Sequence, residues 1–262
     1  MLSLNHIKTF YPPLVSRNRG LQKYMIKEYI LLQILDYLVT TQYLKKIVLN
    51  GGTNLRLIKG IERFSEDLDF DCKDMTKEDF FKMTDGIALF LKRNGYKVEI
   101  RDRYNEKIKA YRRNIYFPQF LFEMELSGHR EERFLIKVES QDQKVTYTKK
   151  MASVKGCGFF FLFPVPTDEV LCSMKISALL SRQKGRDFYD VMFLLSQSNP
   201  DFSFLSFTNG ITNKQELKSE LLKLSQNVNL SHKAKDFEHL VFDRKNTNKI
   251  LYFKEFVENI TV

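Results

Sequence analysis

Asp67 and Asp69 stand two residues apart in the run Glu66-Asp67-Leu68-Asp69-Phe70-Asp71, where acids alternate with apolar residues. In an extended strand that alternation sends both carboxylates out of one face, where they can share a pair of Mg2+ ions, while Leu68 and Phe70 anchor the strand beneath. Upstream lies Gly51-Gly52-Thr53. There the two glycines let backbone approach a phosphate closely, the N–H groups that open the following helix point outward, and Thr53 adds a hydroxyl donor. Phosphoryl transfer asks little else of a protein: metal ions bridging a triphosphate, a positioned hydroxyl, and donors around the leaving pyrophosphate. A third acid from a neighbouring strand completes such a two-metal site. Glu139 is the candidate, which makes the metal set Asp67, Asp69 and Glu139, and Lys137 on the same face can neutralise phosphate charge. Asp71 reads as a strand-end residue. A glycine pair or an Asp-x-Asp strand is weak evidence alone, since such acids are usually a solvated face; their combination at a spacing of some fifteen residues is the informative feature.

These residues need a frame to hold them. From about Asn18 to Gln42, Leu21, Met25, Leu32, Leu35 and Val39 recur at helical spacing, which predicts an amphipathic helix. Lys46 to Leu49 reads as a short strand entering the glycine turn, with a short helix from Asn54 to about Gly60. Thr76 with Asp79 opens a helix that Asn94-Gly95 stops, and Tyr96 to Arg101 resembles a strand. Two antiparallel strands are expected at Gln119 to Leu126 and Phe134 to Glu139, joined by the turn Ser127-Gly128-His129-Arg130. Glu123 and Glu125 on the first of these are the alternatives to Glu139 as third acid. From Pro166 onward the period is helical almost throughout. The expected architecture is α+β: a mixed sheet flanked by helices over 1–164, with its N-terminal helix, and a helical domain over 165–262.

Composition narrows the class. The chain has 262 residues, 43% of them hydrophobic, with only six prolines and eleven glycines, as in an ordinary globular protein. No purely apolar run is longer than Phe159 to Phe163, too short to span a bilayer, and the first residues lack the layout of a secretory signal, so a cytoplasmic location is the default expectation. Three widely spaced cysteines, Cys72, Cys157 and Cys172, indicate neither a disulfide framework nor a zinc site. The net charge of +10 favours a polyanionic partner. Two basic clusters, Lys107, Lys109, Arg112 and Arg113 around Tyr111, and Lys144, Lys149, Lys150 and Lys155 around Tyr147, suit nucleic acid or an ordinary solvated strand edge.

The runs Gly51-Gly52-Thr53-Asn54-Leu55-Arg56-Leu57 and Arg63-Phe64-Ser65-Glu66-Asp67-Leu68-Asp69-Phe70 resemble the signature of the AbiEii/AbiGii toxin family, nucleotidyltransferases of the polymerase-β-like superfamily found in toxin–antitoxin and phage abortive-infection systems. Downstream, Lys175 to Arg182 and Arg186-Asp187-Phe188-Tyr189-Asp190 resemble that family's later Lys and Arg-Asp-x-x-Asp motifs, so the likeness spans about residues 45 to 195. It implies a polymerase-β-like core, an NTP substrate used with Mg2+, an antitoxin partner, and in several relatives transfer of nucleotides to the acceptor end of tRNA. Carried over by position, it implies Asp67 and Asp69 as metal ligands, Gly52, Thr53 and Ser65 along the phosphates, Lys137 and Glu139 as a Lys-x-Asp motif, Lys175 as a nucleotide-facing lysine, and Asp187 and Asp190 as the last acidic motif. Glu139 stands where the family more often has aspartate. Asp187 is also well placed to cap a helix, and Asp190 to pair with Arg186 or Lys175 and tie two helices together. Two other functions remain open: an NTP-binding regulator, of GTP for instance, that transfers nothing, and a nucleotidyltransferase whose acceptor is a protein or small molecule.

Overall fold

The computed structural model describes residues 3–72, 75–102 and 111–260, and the chain forms two compact units. The first comprises 1–60, 64–144 and 151–165. It opens with α1 (Leu4–Lys8), α2 (Pro13–Ser16) and the long α3 (Arg19–Val39), which starts where the Asn18 side chain accepts a hydrogen bond from the Gly20 N–H. Then follow β1 (Val48–Leu49), α4 (Gly51–Leu57), β2 (Asp67–Asp71), α5 (Lys77–Arg93), β3 (Glu99–Ile100), β4 (Tyr111–Tyr116), α6 (Phe120–Glu123) and β5 (Leu135–Gln141). A hairpin of β6 (Lys149–Gly156) and β7 (Phe159–Pro166) turns at Cys157 and Gly158, both at positive φ.

The five-stranded sheet has the order β1-β2-β5-β4-β3, with β2 and β5 parallel and the other pairs antiparallel. Its inner face is made by the apolar half of each alternating strand: Leu68, Phe70, Ile136 and Val138 are all within 1% of full burial. Each such side chain contributes about 1.5–3 kcal/mol on leaving water. A one-residue slip in β2 would bring its acids into that core, so the same pattern that stabilises the sheet fixes which way Asp67 and Asp69 point. Helix α5, capped by Thr76 accepting from the Asp79 N–H, packs on α3 and β4.

The second unit comprises 61–63, 145–150 and 166–262. It contains α7 (Asp168–Arg182), α8 (Gly185–Leu195), α9 (Phe202–Asn209), α10 (Lys214–Gln226), α11 (Leu230–Lys235), a 3-10 segment (Arg244–Tyr252) and α12 (Phe253–Asn259). Leu217, Leu221 and Leu224 on α10 are core residues. The mixed sheet flanked by helices and the helical remainder make an α+β protein. No helix among the described residues is long and apolar enough to cross a membrane.

Three expectations are corrected. The segment Gln119 to Leu126 is a single helical turn rather than a strand. Gln119 and Glu125 lie at positive φ, and Phe120, Phe117 and Phe134 cluster with ring centroids 4.9–5.5 Å apart. The strand beside β5 is β4 instead, so Glu123 and Glu125 are not on the sheet, and Glu123 pairs with Lys97 at 2.5 Å. Helix α4 begins at Gly51, three residues earlier than the expected Asn54.

Candidate active site

Register brings the chemistry together on the outer face of the first unit's sheet. Parallel pairing sets Asp67 opposite Lys137 and Asp69 opposite Glu139, and antiparallel pairing sets Arg112 opposite Glu139. The Lys137 ammonium lies 3.1 Å from Asp67 Oδ2 and 3.6 Å from Glu139 Oε1, while Arg112 Nε lies 2.8 Å from Glu139 Oε1. Burial pulls the Lys137 ammonium down, but Asp67 and Glu139 outweigh it and raise it above the ordinary lysine range, so it stays charged. The result is a half-buried row of alternating acids and cations.

The glycine turn is stitched to this row from the other side. Asn50 N–H donates to the Asp69 carbonyl at 3.0 Å, which continues the β1–β2 pairing into the turn. Gly51 sits at φ +67°, and a Cβ there would lie 2.9 Å from both Cβ and Cγ of Asp69 and collide with its carboxylate. Backbone and carboxylate therefore meet face to face, at a distance only glycine permits. Thr53 Oγ1 donates to the Asp67 carbonyl at 2.5 Å and lies 3.0 Å from Ser65 Oγ. The hydroxyl donor expected at Thr53 is thus turned inward, where it fixes the distance between α4 and β2. Asp71, 4% exposed, accepts from the Gln143 N–H at 3.2 Å at the strand end.

Three of the expected site residues belong to the second unit. Lys175 Nζ lies 2.9 Å from Asp190 Oδ2, and Arg63 reaches both oxygens of the same carboxylate at 2.7 Å. Burial alone would raise Asp190, but Arg63 and then Lys175 overcome it and hold the carboxyl at about 2. Asp187 does not cap a helix that follows it: it is the third residue of α8, its side chain accepts from the N–H of the N-cap Lys184 at 3.2 Å, and it pairs with Arg182 at 2.7 Å. Arg63 is the member of this cluster that sequence reasoning missed; its partner Asp190 lies 127 residues away, and nothing local announces it.

A family model described as nucleotidyl transferase AbiEii toxin, type IV TA system, matches residues 33–244. The chain belongs to this AbiEii family. It is a nucleotidyltransferase, and family membership implies an NTP substrate and a cognate antitoxin. Among solved structures, MenT4, a nucleotidyltransferase toxin of Mycobacterium tuberculosis, is similar over 100% of this chain and 91% of its own at a TM-score of 0.58 and 14% identity. JHP933 from Helicobacter pylori is similar over 90% of this chain and 91% of its own, with a TM-score of 0.54 and 18% identity. At these identities the likeness establishes the shared fold. No curated protein sequence matches the chain.

An AbiEii enzyme is expected to use a divalent metal. Among the described residues no three acids, histidines or cysteines form a ready-made metal nest. Asp67 and Asp69 on adjacent outward positions of β2 nevertheless fit Mg2+, which takes one or two carboxylates and completes its shell with phosphate oxygens and water. The basic clusters are mostly committed within the fold: Arg113 pairs with Asp85 and Asp102, Lys144 with Asp142 and Lys150 with Asp168, while Lys107 and Lys109 lie outside the described residues. The three cysteines are buried free thiols, pushed up to about 11 or 12 by burial, so they stay protonated and unreactive.

Proposed function

We propose that this enzyme transfers a nucleoside monophosphate from an NTP to a hydroxyl on RNA, with the acceptor end of tRNA as the target, in a reaction that depends on Mg2+. The acceptor oxygen bonds to the α-phosphorus, the bond from that phosphorus to the β-phosphate oxygen breaks, and pyrophosphate leaves with the electron pair. Asp67 and Asp69 would hold the metal, which supplies Lewis-acid charge to the reacting phosphate when bound. Backbone at Gly51 and Gly52 receives the triphosphate, with Thr53 and Ser65 fixing the turn rather than donating to it. Glu139 faces Asp69 across the parallel pair and takes the proton of the attacking hydroxyl, and Lys137 offsets the charge that develops on the phosphate. Lys175, Asp187 and Asp190 we assign to a buried charge cluster that keeps the second unit in its working form.

One observation carries this reading: the Asp69 carboxylate lies directly against the Gly51 backbone, so metal ligand and phosphate turn share one space. The net charge of +10 and the family resemblance support RNA as acceptor. The test is to incubate the protein with each α-labelled NTP, Mg2+ and total RNA. Label should appear on tRNA and disappear in Asp69→Ala. Label on protein or on a small molecule would replace the acceptor, and NTP binding without transfer would favour a regulator.

A further inference from the structure

Helix α4 carries the phosphate turn but is too short to hold itself. It has seven residues, begins at a left-handed glycine, and its N-cap Asn50 makes no side-chain capping bond. Isolated helices of that length do not persist in water, so its position comes from what it is tied to. Thr53 ties the front of the helix to β2. At the back, Arg56 forms a two-point bond to Glu28 of α3, Nε to Oε2 at 2.7 Å and Nη2 to Oε1 at 3.0 Å. The Tyr11 hydroxyl donates to the same Glu28 Oε1 at 3.0 Å and lies 3.5 Å from Cys157 Sγ. Glu28 has a side chain only 5% exposed and sits in a long, well-buried helix, which makes it a fixed point.

The Arg56 guanidinium also lies over the Phe64 ring, 5.8 Å from its centroid, and Phe64 stacks on Tyr24 of α3. Phe64 immediately precedes Ser65, whose hydroxyl meets Thr53, and lies three residues before Asp67. Arg56 therefore holds both the helix that carries the phosphate turn and the segment that leads into the acidic strand, each against α3. A planar fork bonded at two points fixes orientation as well as distance, which a lysine cannot do.

We infer that Glu28, Arg56 and Tyr11 form a positioning assembly that sets the Gly51–Thr53 turn against Asp69 and thereby governs NTP affinity without touching the nucleotide. The inference rests on the reading of that turn as the triphosphate site. A loosened turn is competent for only part of the time, and apparent affinity falls by that fraction; bound NTP restores the turn, so turnover at saturation is kept. Loss of Asp69, by contrast, abolishes turnover itself.

The test compares the full-length chain with Arg56→Lys, Glu28→Gln and the milder Tyr11→Phe, using Ile87→Val in the core of α5 as a control for general destabilisation. Melting temperature, calorimetric Kd for each Mg2+–NTP, and KM and kcat are measured on all five proteins. The expected result is a rise in NTP Kd and KM on the order of tenfold for Arg56→Lys and Glu28→Gln, about two- to threefold for Tyr11→Phe, with kcat within about threefold of the parent and no change of KM in Ile87→Val. Should the first two variants not fold, Tyr11→Phe decides. Unchanged Kd and KM in folded variants, or an equal rise in Ile87→Val, overturns the positioning role alone. A parent protein that binds none of the four NTPs removes the proposed function, and this inference with it.

Discussion

Replacing Gly51 by alanine tests the contact that defines the site, and the structure supplies its own control. Gly51 sits at φ +67° and Gly60 at φ +73°, so alanine at either position incurs about the same backbone strain, roughly 1–2 kcal/mol. Their surroundings differ. A Cβ at Gly60 meets nothing within 4 Å, whereas at Gly51 it collides with the Asp69 carboxylate and lies 2.9 Å from Asp69 Cβ. Because that Cβ is fixed to the strand, rotating the carboxylate away does not clear the clash, and overpacking of this kind adds about 1–3 kcal/mol. The total for Gly51→Ala is about 2–5 kcal/mol, a melting shift of roughly 4–20 °C. The turn must also retreat from the acid, and a displacement of about 1 Å costs on the order of 100-fold in activity. The assay is label transfer from NTP, with thermal melts on both variants: Gly60→Ala should lose stability and keep its kcat/KM within about threefold, while Gly51→Ala loses both. Equal activity in the two variants would show that proximity of Gly51 to Asp69 has no bearing on the reaction.

Further outcomes follow from the charges. Asp190→Asn removes the anion that Arg63 and Lys175 share and should lower unfolding stability in urea by about 3–5 kcal/mol; a loss under about 1 kcal/mol would contradict the cluster's structural role. Because folding lowers Asp190 from 3.8 to about 2, its contribution of about 2 kcal/mol is complete above pH about 4 and is lost as pH falls through about 2, which acid unfolding of the parent and of Asp190→Asn would separate. Lys137→Met should leave the fold intact and reduce kcat by about 100-fold, measured by pyrophosphate release; normal turnover would remove Lys137 from the mechanism. If RNA is the acceptor, its affinity should fall steeply, by a factor on the order of 1,000 between 50 and 200 mM salt for about six phosphate contacts, whereas a flat salt response counts against RNA.

What could be read in the sequence was local. Alternation from Asp67 to Asp71 and from Phe134 to Glu139 marks two strands because one face of each is buried, and Thr76 and Asn18 mark helix starts because their side chains serve the backbone beside them. Strand β4 escaped notice because Arg112 and Arg113 interrupt its apolar pattern; Arg113, at 9% exposure, pairs with Asp85 and Asp102 and lies over the Phe81 ring, partners that no local period reveals. The converse error came from Phe122, Met124 and Leu126, whose period of two imitates a strand while the backbone at Gln119 and Glu125 turns left-handed. At the candidate site, Asp67, Asp69 and the glycine turn announce themselves by type and spacing. The long-range pairs, Glu28 with Arg56 in the first unit and Asp190 with Arg63 in the second, are separated by 28 and 127 residues and become visible only when the chain is folded.

The most direct test compares Asp69→Asn with Asp71→Asn in a magnesium-dependent, single-turnover assay of pyrophosphate release from labelled NTP. Both substitutions neutralise an acid on the same strand, but only Asp69 lies against Gly51, while Asp71 is buried at the strand end beside Gln143. Asp69→Asn should reduce the rate by a factor on the order of 1,000 and Asp71→Asn by less than about tenfold. Equal rates in the two variants, or an Asp69→Asn protein that turns over as fast as the parent, would contradict the account.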